Sequence, residues 1–243
     1  MDLFESSVAF PGPGGRPMPA FLALPAGADA APVPGVLVLH EIFGLNDDIR
    51  AQARRAASLG YAALAPDLLA ALGPRPFCLV RAFRDLARGE GRAFDALDAA
   101  RAWLAAHPAV DSSRLGILGF CMGGSFALLM AARAPLRAAA VFYGAVPKSP
   151  AALEGVCPVV AGYGGRDRLF APQGRRLQQH LAALDTPHDV VIYPAAGHSF
   201  MNRHDGVAAR LGAWGPMKVG YDPAAAEDSW RRIAAFFAEH LGS

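Results

Sequence analysis

Short, unbroken apolar runs recur along the chain, separated by longer segments whose apolar residues return at helical spacing. Val36-Leu37-Val38-Leu39-His40 is the first such run. A run of this kind fits a strand covered on both faces, because a half-exposed strand would alternate. Residues 61–65, 115–118, 138–143, 158–163 and 189–193 read as further strands. Segments 47–59, 92–106, 173–184 and 223–241 read as helices, the first ended by Gly60. In 92–106 the apolar stripe is Phe94, Leu97, Trp103 and Leu104. Ahead of all these, Ser7-Val8-Ala9-Phe10 and Ala20-Phe21-Leu22-Ala23-Leu24 flank Pro11-Gly12-Pro13-Gly14-Gly15, which predicts two strands joined by a turn. No helical pattern follows those glycines, so they do not form a phosphate loop. Strands alternating with helices predict an α/β fold: a mostly parallel central sheet with helices on both faces and an N-terminal antiparallel hairpin. Neither a repeat nor a low-complexity linker divides the chain, and 1–243 is expected to be a single domain.

Composition narrows the function classes. A hydrophobic content of 53% against 18% charged residues describes a globular protein with a large core. The net charge is +2, from 23 basic and 21 acidic residues, with no Lys/Arg-rich run, so no nucleic-acid partner is expected. Arg50, Arg54 and Arg55 are read as a solvated helix face. Three cysteines, Cys78, Cys121 and Cys157, make no disulfide framework and have no CxxC metal spacing. The start Met1-Asp2-Leu3-Phe4-Glu5 lacks the features of a signal peptide, and no apolar segment approaches the roughly 20 residues a bilayer requires. A cytoplasmic location without membrane association is the resulting expectation.

Chemistry enters at Gly119-Phe120-Cys121-Met122-Gly123-Gly124, between the strand 115–118 and a following helical segment. The pattern is Gly-x-nucleophile-x-Gly at a strand-to-helix turn, with cysteine at the nucleophile position. A helix N-terminus there favours an anion and lowers a thiol pKa. The hexapeptide alone fits a packing cysteine equally well. The strand 158–163 runs into Gly164-Gly165-Arg166-Asp167, and 189–193 into Pro194-Ala195-Ala196-Gly197-His198. Three reactive groups thus follow three strands in the order nucleophile, acid, base, on the sheet edge where such folds place their sites. This assigns Cys121 as nucleophile, His198 as base and Asp167 as the acid orienting it.

The Met122 N–H is the expected first oxyanion donor and the Ile42 N–H, in the loop Glu41-Ile42-Phe43-Gly44-Leu45-Asn46, the second. His107, His180, His188 and His240 lack this context, and His204 has no strand before it. His40-Glu41 begins like HExxH, but Gly44 stands where the second ligand belongs; no metal and no cofactor are expected. Phe43, Tyr143 and Phe200 are candidate pocket walls, each also readable as core. Cys78 and Cys157 are read as packing residues, Cys78 with a chance position at the pocket.

His40-Glu41-Ile42-Phe43-Gly44-Leu45-Asn46, Pro66-Asp67-Leu68, Gly119-Phe120-Cys121-Met122-Gly123-Gly124, Gly165-Arg166-Asp167 and Gly197-His198-Ser199-Phe200 together resemble the dienelactone hydrolase family of α/β-hydrolases. The resemblance runs from about Val36 to His240. It implies hydrolysis of a small ester or lactone through an acyl-enzyme on Cys121. It further implies that Glu41 regulates the thiol, contacting it at rest and moving when substrate arrives. In the family two arginines clamp a substrate carboxylate. One comes from the segment after Pro-Asp-Leu, where this chain offers Arg75, Arg81 or Arg84, with Arg81 the chosen candidate. The other position holds Asn202, with Arg203 adjacent, and an asparagine cannot replace the charge, so the resemblance does not carry dienelactone itself over. Acyl transfer or thioester cleavage by the same three residues, and a non-catalytic redox-sensing module, are the alternatives. A monomer or weak homodimer is expected.

Overall fold

The computed structural model describes residues 3–28, 30–74, 76–204 and 212–242. Eight strands form one sheet in the order β1-β2-β4-β3-β5-β6-β7-β8. They are β1 (Leu3–Pro11), β2 (Pro17–Pro25), β3 (Val33–Leu39), β4 (Ala62–Pro66), β5 (Val110–Phe120), β6 (Ala138–Phe142), β7 (Val159–Gly164) and β8 (His188–Tyr193). The β1–β2 hairpin joins antiparallel to β4, and the other six strands run parallel. This is the mostly parallel sheet of an α/β-hydrolase fold, with helices on both faces. The cause is visible in burial: every residue of β4, β6 and β7 is buried, which a central strand reaches only when both faces are covered. Strand β1, on the edge, alternates and stays largely open.

The helices that connect and cover the strands include α1 (Asp47–Ser58), α2 (Leu68–Leu72), α3 (Phe77–Arg88), α4 (Arg92–Ala105), α5 (Met122–Arg133), α6 (Ala171–Ala183) and α7 (Pro223–Leu241). Their starts follow local chemistry. The side chain of Asn46 accepts the Ile49 N–H at 3.0 Å to cap α1, and Asp67 and Asp222 cap α2 and α7 in the same way. None of the described helices is long and apolar enough to cross a membrane.

Two sequence expectations change. The segment between Asp67 and Arg92 carries α2 and α3, although no helix is predicted there. Helix α3 buries Cys78, Ala82 and Asp85 and leaves Phe77, Val80 and Phe83 exposed, so its apolar stripe faces outward and gives no sign of a core-facing helix. Asp85 is 1% exposed and accepts the Ala93 N–H at 3.0 Å, tying α3 to the start of α4. The arginines of α1 are also more than a solvated face. Arg54 pairs with Glu5 of β1 at 2.8 Å and Arg55 with Glu227 of α7 at 2.6 Å, while Arg50 and Arg54 lie over the Phe21 ring. Exposed pairs of this kind add little to stability, so their effect is chiefly to orient α1.

Candidate active site

Strand β5 passes into α5 through a single residue, Cys121, at φ 52° and ψ −115°. Such a conformation costs a non-glycine residue about 1–3 kcal/mol and persists only where its surroundings enforce it. Those surroundings are close backbone contacts. A Cβ on Gly119 would stand 2.2 Å from the Gly123 carbonyl oxygen, and one on Gly123 would stand 2.5 Å from the Leu39 carbonyl oxygen. Glycine is required at both places because backbone occupies the space of a side chain. The turn is further fixed by the Cys121 N–H donating to the Phe142 carbonyl at 3.0 Å. The thiol is thereby lifted, half-buried, above the carboxyl ends of the parallel strands.

Three groups meet there. His198 Nε2 lies 3.1 Å from Cys121 Sγ, and His198 Nδ1 lies 2.6 Å from Asp167 Oδ2. Asp167 is fully buried, and its second oxygen accepts the N–H groups of Leu169 and Phe170 at 3.0 and 3.1 Å. With Nδ1–H donating to Asp167, the histidine presents a lone pair on Nε2 to the thiol. The His198 ring is held between Tyr143, 5.0 Å away, and Phe170, 4.7 Å away.

Burial pushes the Cys121 thiol well above its ordinary range; the charges of Glu41 and Asp167 push the same way, and a hydrogen bond from the Met122 N–H offsets only part. The lowering expected from the helix N-terminus is therefore outweighed. The thiol thus keeps its proton at rest and directs it to His198 Nε2.

The loop after β3 is organised by His40. The Leu68 N–H donates to His40 Nε2 at 3.1 Å, which leaves the proton on Nδ1, where it donates to the Glu41 carbonyl at 2.6 Å. Burial lowers the His40 pKa, which keeps the ring neutral. Holding the Glu41 carbonyl fixes the peptide plane that carries the Ile42 N–H, since both belong to one rigid unit. Glu41 itself, 3% exposed, is not on the thiol: Oε1 accepts from Ser199 Oγ and Oε2 meets His204 Nε2, both at 2.7 Å.

A cavity of about 680 Å³ opens beside the thiol. Its wall includes Ile42, Phe83, Leu86, Cys121, Met122, Leu129, Val146, Phe170, His198 and Met217, with Arg88 and Lys148 as its basic residues. Several expected wall residues lie elsewhere. Tyr143 and Phe200 are fully buried and pack against each other at 5.3 Å, beneath the histidine instead of in the cavity. Phe43 is 45% exposed, packs on the His204 ring, and lines a separate cavity of about 220 Å³ with Cys78 and Asp67. Arg81 donates to the Leu72 carbonyl at 2.5 Å, and Arg84 to Asp85; Arg75 lies outside the described residues. Asn202 is fully buried and accepts from Gln52, so it faces the interior and not the substrate space.

Sequence reasoning missed Phe83, Leu86, Arg88 and Phe170, whose helices or turns carry no motif, and it set His204 aside. Among the described residues, no group of three or more His, Cys, Asp or Glu is arranged to hold a metal ion.

Comparison with known proteins agrees with the motifs. The chain matches the dienelactone hydrolase family over residues 18–241. A Salmonella typhimurium protein provisionally named a carboxymethylenebutenolidase is 34% identical, the match covering 94% of this chain and 85% of the relative. The carboxymethylenebutenolidase of Rhodococcus opacus is 32% identical over 94% of this chain and 89% of its own. The crystal structure of a dienelactone hydrolase-like promiscuous phosphotriesterase from metagenomic libraries superimposes with a TM-score of 0.80 at 26% identity, covering 99% of both chains. Elbow, strand-end order and relatives converge, and this chain, an ester or lactone hydrolase, belongs to the dienelactone hydrolase family.

Proposed function

We propose that the chain, acting as one domain over 1–243, hydrolyses small esters or lactones through a Cys121–His198–Asp167 triad and an acyl-enzyme. The observation that carries this reading is the continuous hydrogen-bonded line from Sγ through the imidazole to a fully buried carboxylate, 3.1 Å and 2.6 Å long, ending on a strained nucleophile position. His198 Nε2 takes the thiol proton as sulfur bonds to the substrate carbonyl carbon. The carbonyl oxygen, now negative, accepts from the Met122 and Ile42 N–H groups. The carbon–oxygen bond then breaks, and His198 returns the proton to the departing alcohol. In the second half His198 deprotonates a water, which attacks the thioester and frees the thiol and the carboxylic acid. Asp167 holds the imidazole tautomer and balances its charge.

Glu41 supports a regulatory role, since its carboxylate is one of the causes that hold the thiol protonated. A protonated thiol resists oxidation, and it ionises only as substrate and base engage it. The largely apolar cavity favours substrates with an apolar body, and the interior position of Asn202 agrees with the absence of the second arginine clamp. Turnover of a panel of activated esters and lactones by the wild type and by Cys121→Ala tests the reading. The variant is expected to lose at least about 10³-fold in kcat/KM; wild-type-like turnover would refute the mechanism.

A further inference from the structure

Glu41 sits next to the nucleophile yet spends both carboxylate oxygens on other partners. Oε1 accepts from Ser199 Oγ and Oε2 meets His204 Nε2, each at 2.7 Å. Ser199 directly follows His198 and is held at φ +56°, in the left-handed region that favours glycine, with its hydroxyl turned to the carboxylate. The His204 ring packs on Phe43 at 4.9 Å, so the contact bridges the oxyanion-donor loop and the stretch beyond the base. Asp48 is close enough for Glu41 and His204 to influence its ionisation, and it accepts the Arg203 N–H at 3.2 Å. Glu41, Asp48, His204 and Arg203 are thus the titratable and charged groups of this corner, with the Tyr143 hydroxyl near Glu41.

The thiol has one proton to donate. Facing His198 it is ready for transfer to the base; facing a free carboxylate it would be diverted from it. With both Glu41 oxygens engaged, the thiol lies on His198 at 3.1 Å. We propose that His204, together with Ser199, is a positioning residue that latches the Glu41 carboxylate off Cys121 and keeps the thiol on its base. This rests on the reading of Cys121 as nucleophile.

The test is iodoacetamide alkylation of Cys121, followed across the neutral and alkaline range in His204→Ala, Glu41→Gln and the double variant, each checked by thermal unfolding. Cys78 and Cys157 are buried, and Cys121→Ala provides the background rate. His204→Ala is expected to alkylate about tenfold more slowly at neutral pH, the size expected for one diverted hydrogen bond to a charged group. The double variant is expected to regain the rate of Glu41→Gln alone, a rescue that general loosening of the loop does not produce. An unchanged rate in folded His204→Ala, or a double variant as slow as the single one, overturns the latch. If His204→Ala does not fold, His204→Gln, which keeps a donor for Glu41, is expected within about twofold of wild type, and a larger loss overturns it. Ester turnover measured in parallel separates the two readings. Turnover independent of Cys121 refutes the hydrolytic mechanism, whereas an unresponsive alkylation rate in the His204 and Glu41 variants refutes the latch alone.

Discussion

Replacing Asp167 by asparagine isolates its electrostatic role, because the retained Oδ1 still accepts the Leu169 and Phe170 N–H groups. The change falls on the atom 2.6 Å from His198 Nδ1. An amide NH2 there faces a ring N–H, so the imidazole must move its proton to Nε2. That nitrogen then has no lone pair for the thiol proton. Once the imidazolium forms, its attraction to the carboxylate at this distance is of order 6 kcal/mol at an effective dielectric of 20, before desolvation is subtracted. A loss of ~10³–10⁴ in kcat requires ~4–5 kcal/mol, which lies inside that ceiling. We therefore expect Asp167→Asn to lower kcat by that factor for an activated ester, with an unfolding midpoint close to wild type. Asp167→Ala should also lose stability, because two partly buried N–H groups lose their acceptor, at about 1 kcal/mol each. Activity of Asp167→Asn within tenfold of wild type, in a folded protein, would refute the assignment of Asp167 as the orienting acid.

Gly119→Ala would force a methyl to 2.2 Å from the Gly123 carbonyl, so the elbow must open; a loss of about 3 kcal/mol in urea unfolding, or failure to fold, is expected. Because the Cys121 thiol is pushed up, its alkylation rate should climb roughly tenfold per pH unit through the neutral range, and a plateau beginning near neutrality would contradict a protonated resting thiol. Cys157 is pushed up to about 12 by burial. Below the unfolded thiol pKa, near 9, both states keep the proton; above it the unfolded chain releases it first, so thermal stability should fall as pH rises from about 9 toward 12. Arg88→Gln with Lys148→Gln should reduce kcat/KM about tenfold for an ester bearing a free carboxylate, while its methyl ester changes less than twofold. Equal losses on both substrates would show that these cations do not read substrate charge.

The sheet was legible because its central strands are covered on both faces and so read as unbroken apolar runs. That same burial put Cys121, Asp167 and His198 at strand ends that the chain order alone brings to one edge. Helices α2 and α3 were not legible, since α3 turns Phe77, Val80 and Phe83 outward and buries an aspartate. The cavity wall built from Phe83, Leu86 and Arg88 was lost with that helix. Arg81 fits a clamp by its position in the sequence, but its guanidinium is spent on the carbonyl at the end of α2, a contact that only that helix creates.

The electrostatics of the thiol were legible in part: a carboxylate at Glu41 beside the thiol opposes its ionisation, as the structure bears out, whereas the hexapeptide alone points to a lowered pKa. A helix N-terminus lowers a thiol pKa through partial charges a few ångströms away, an effect of order 0.3–1 kcal/mol at an exposed site. Burial and two nearby carboxylates act on the same sulfur with more force, and neither is visible in a hexapeptide. Glu41 shows the same limit. Its chain neighbours place it beside Ile42, yet its carboxylate is held by Ser199 and His204, more than 150 residues further along. No strand precedes His204 in the sequence, so nothing local marks it. It reaches the site through the turn that follows His198, so a residue two positions past Asn202 touches the loop after β3. The elbow can be read from its glycines; the contacts of Glu41 with Ser199 and His204 are assembled only by the fold.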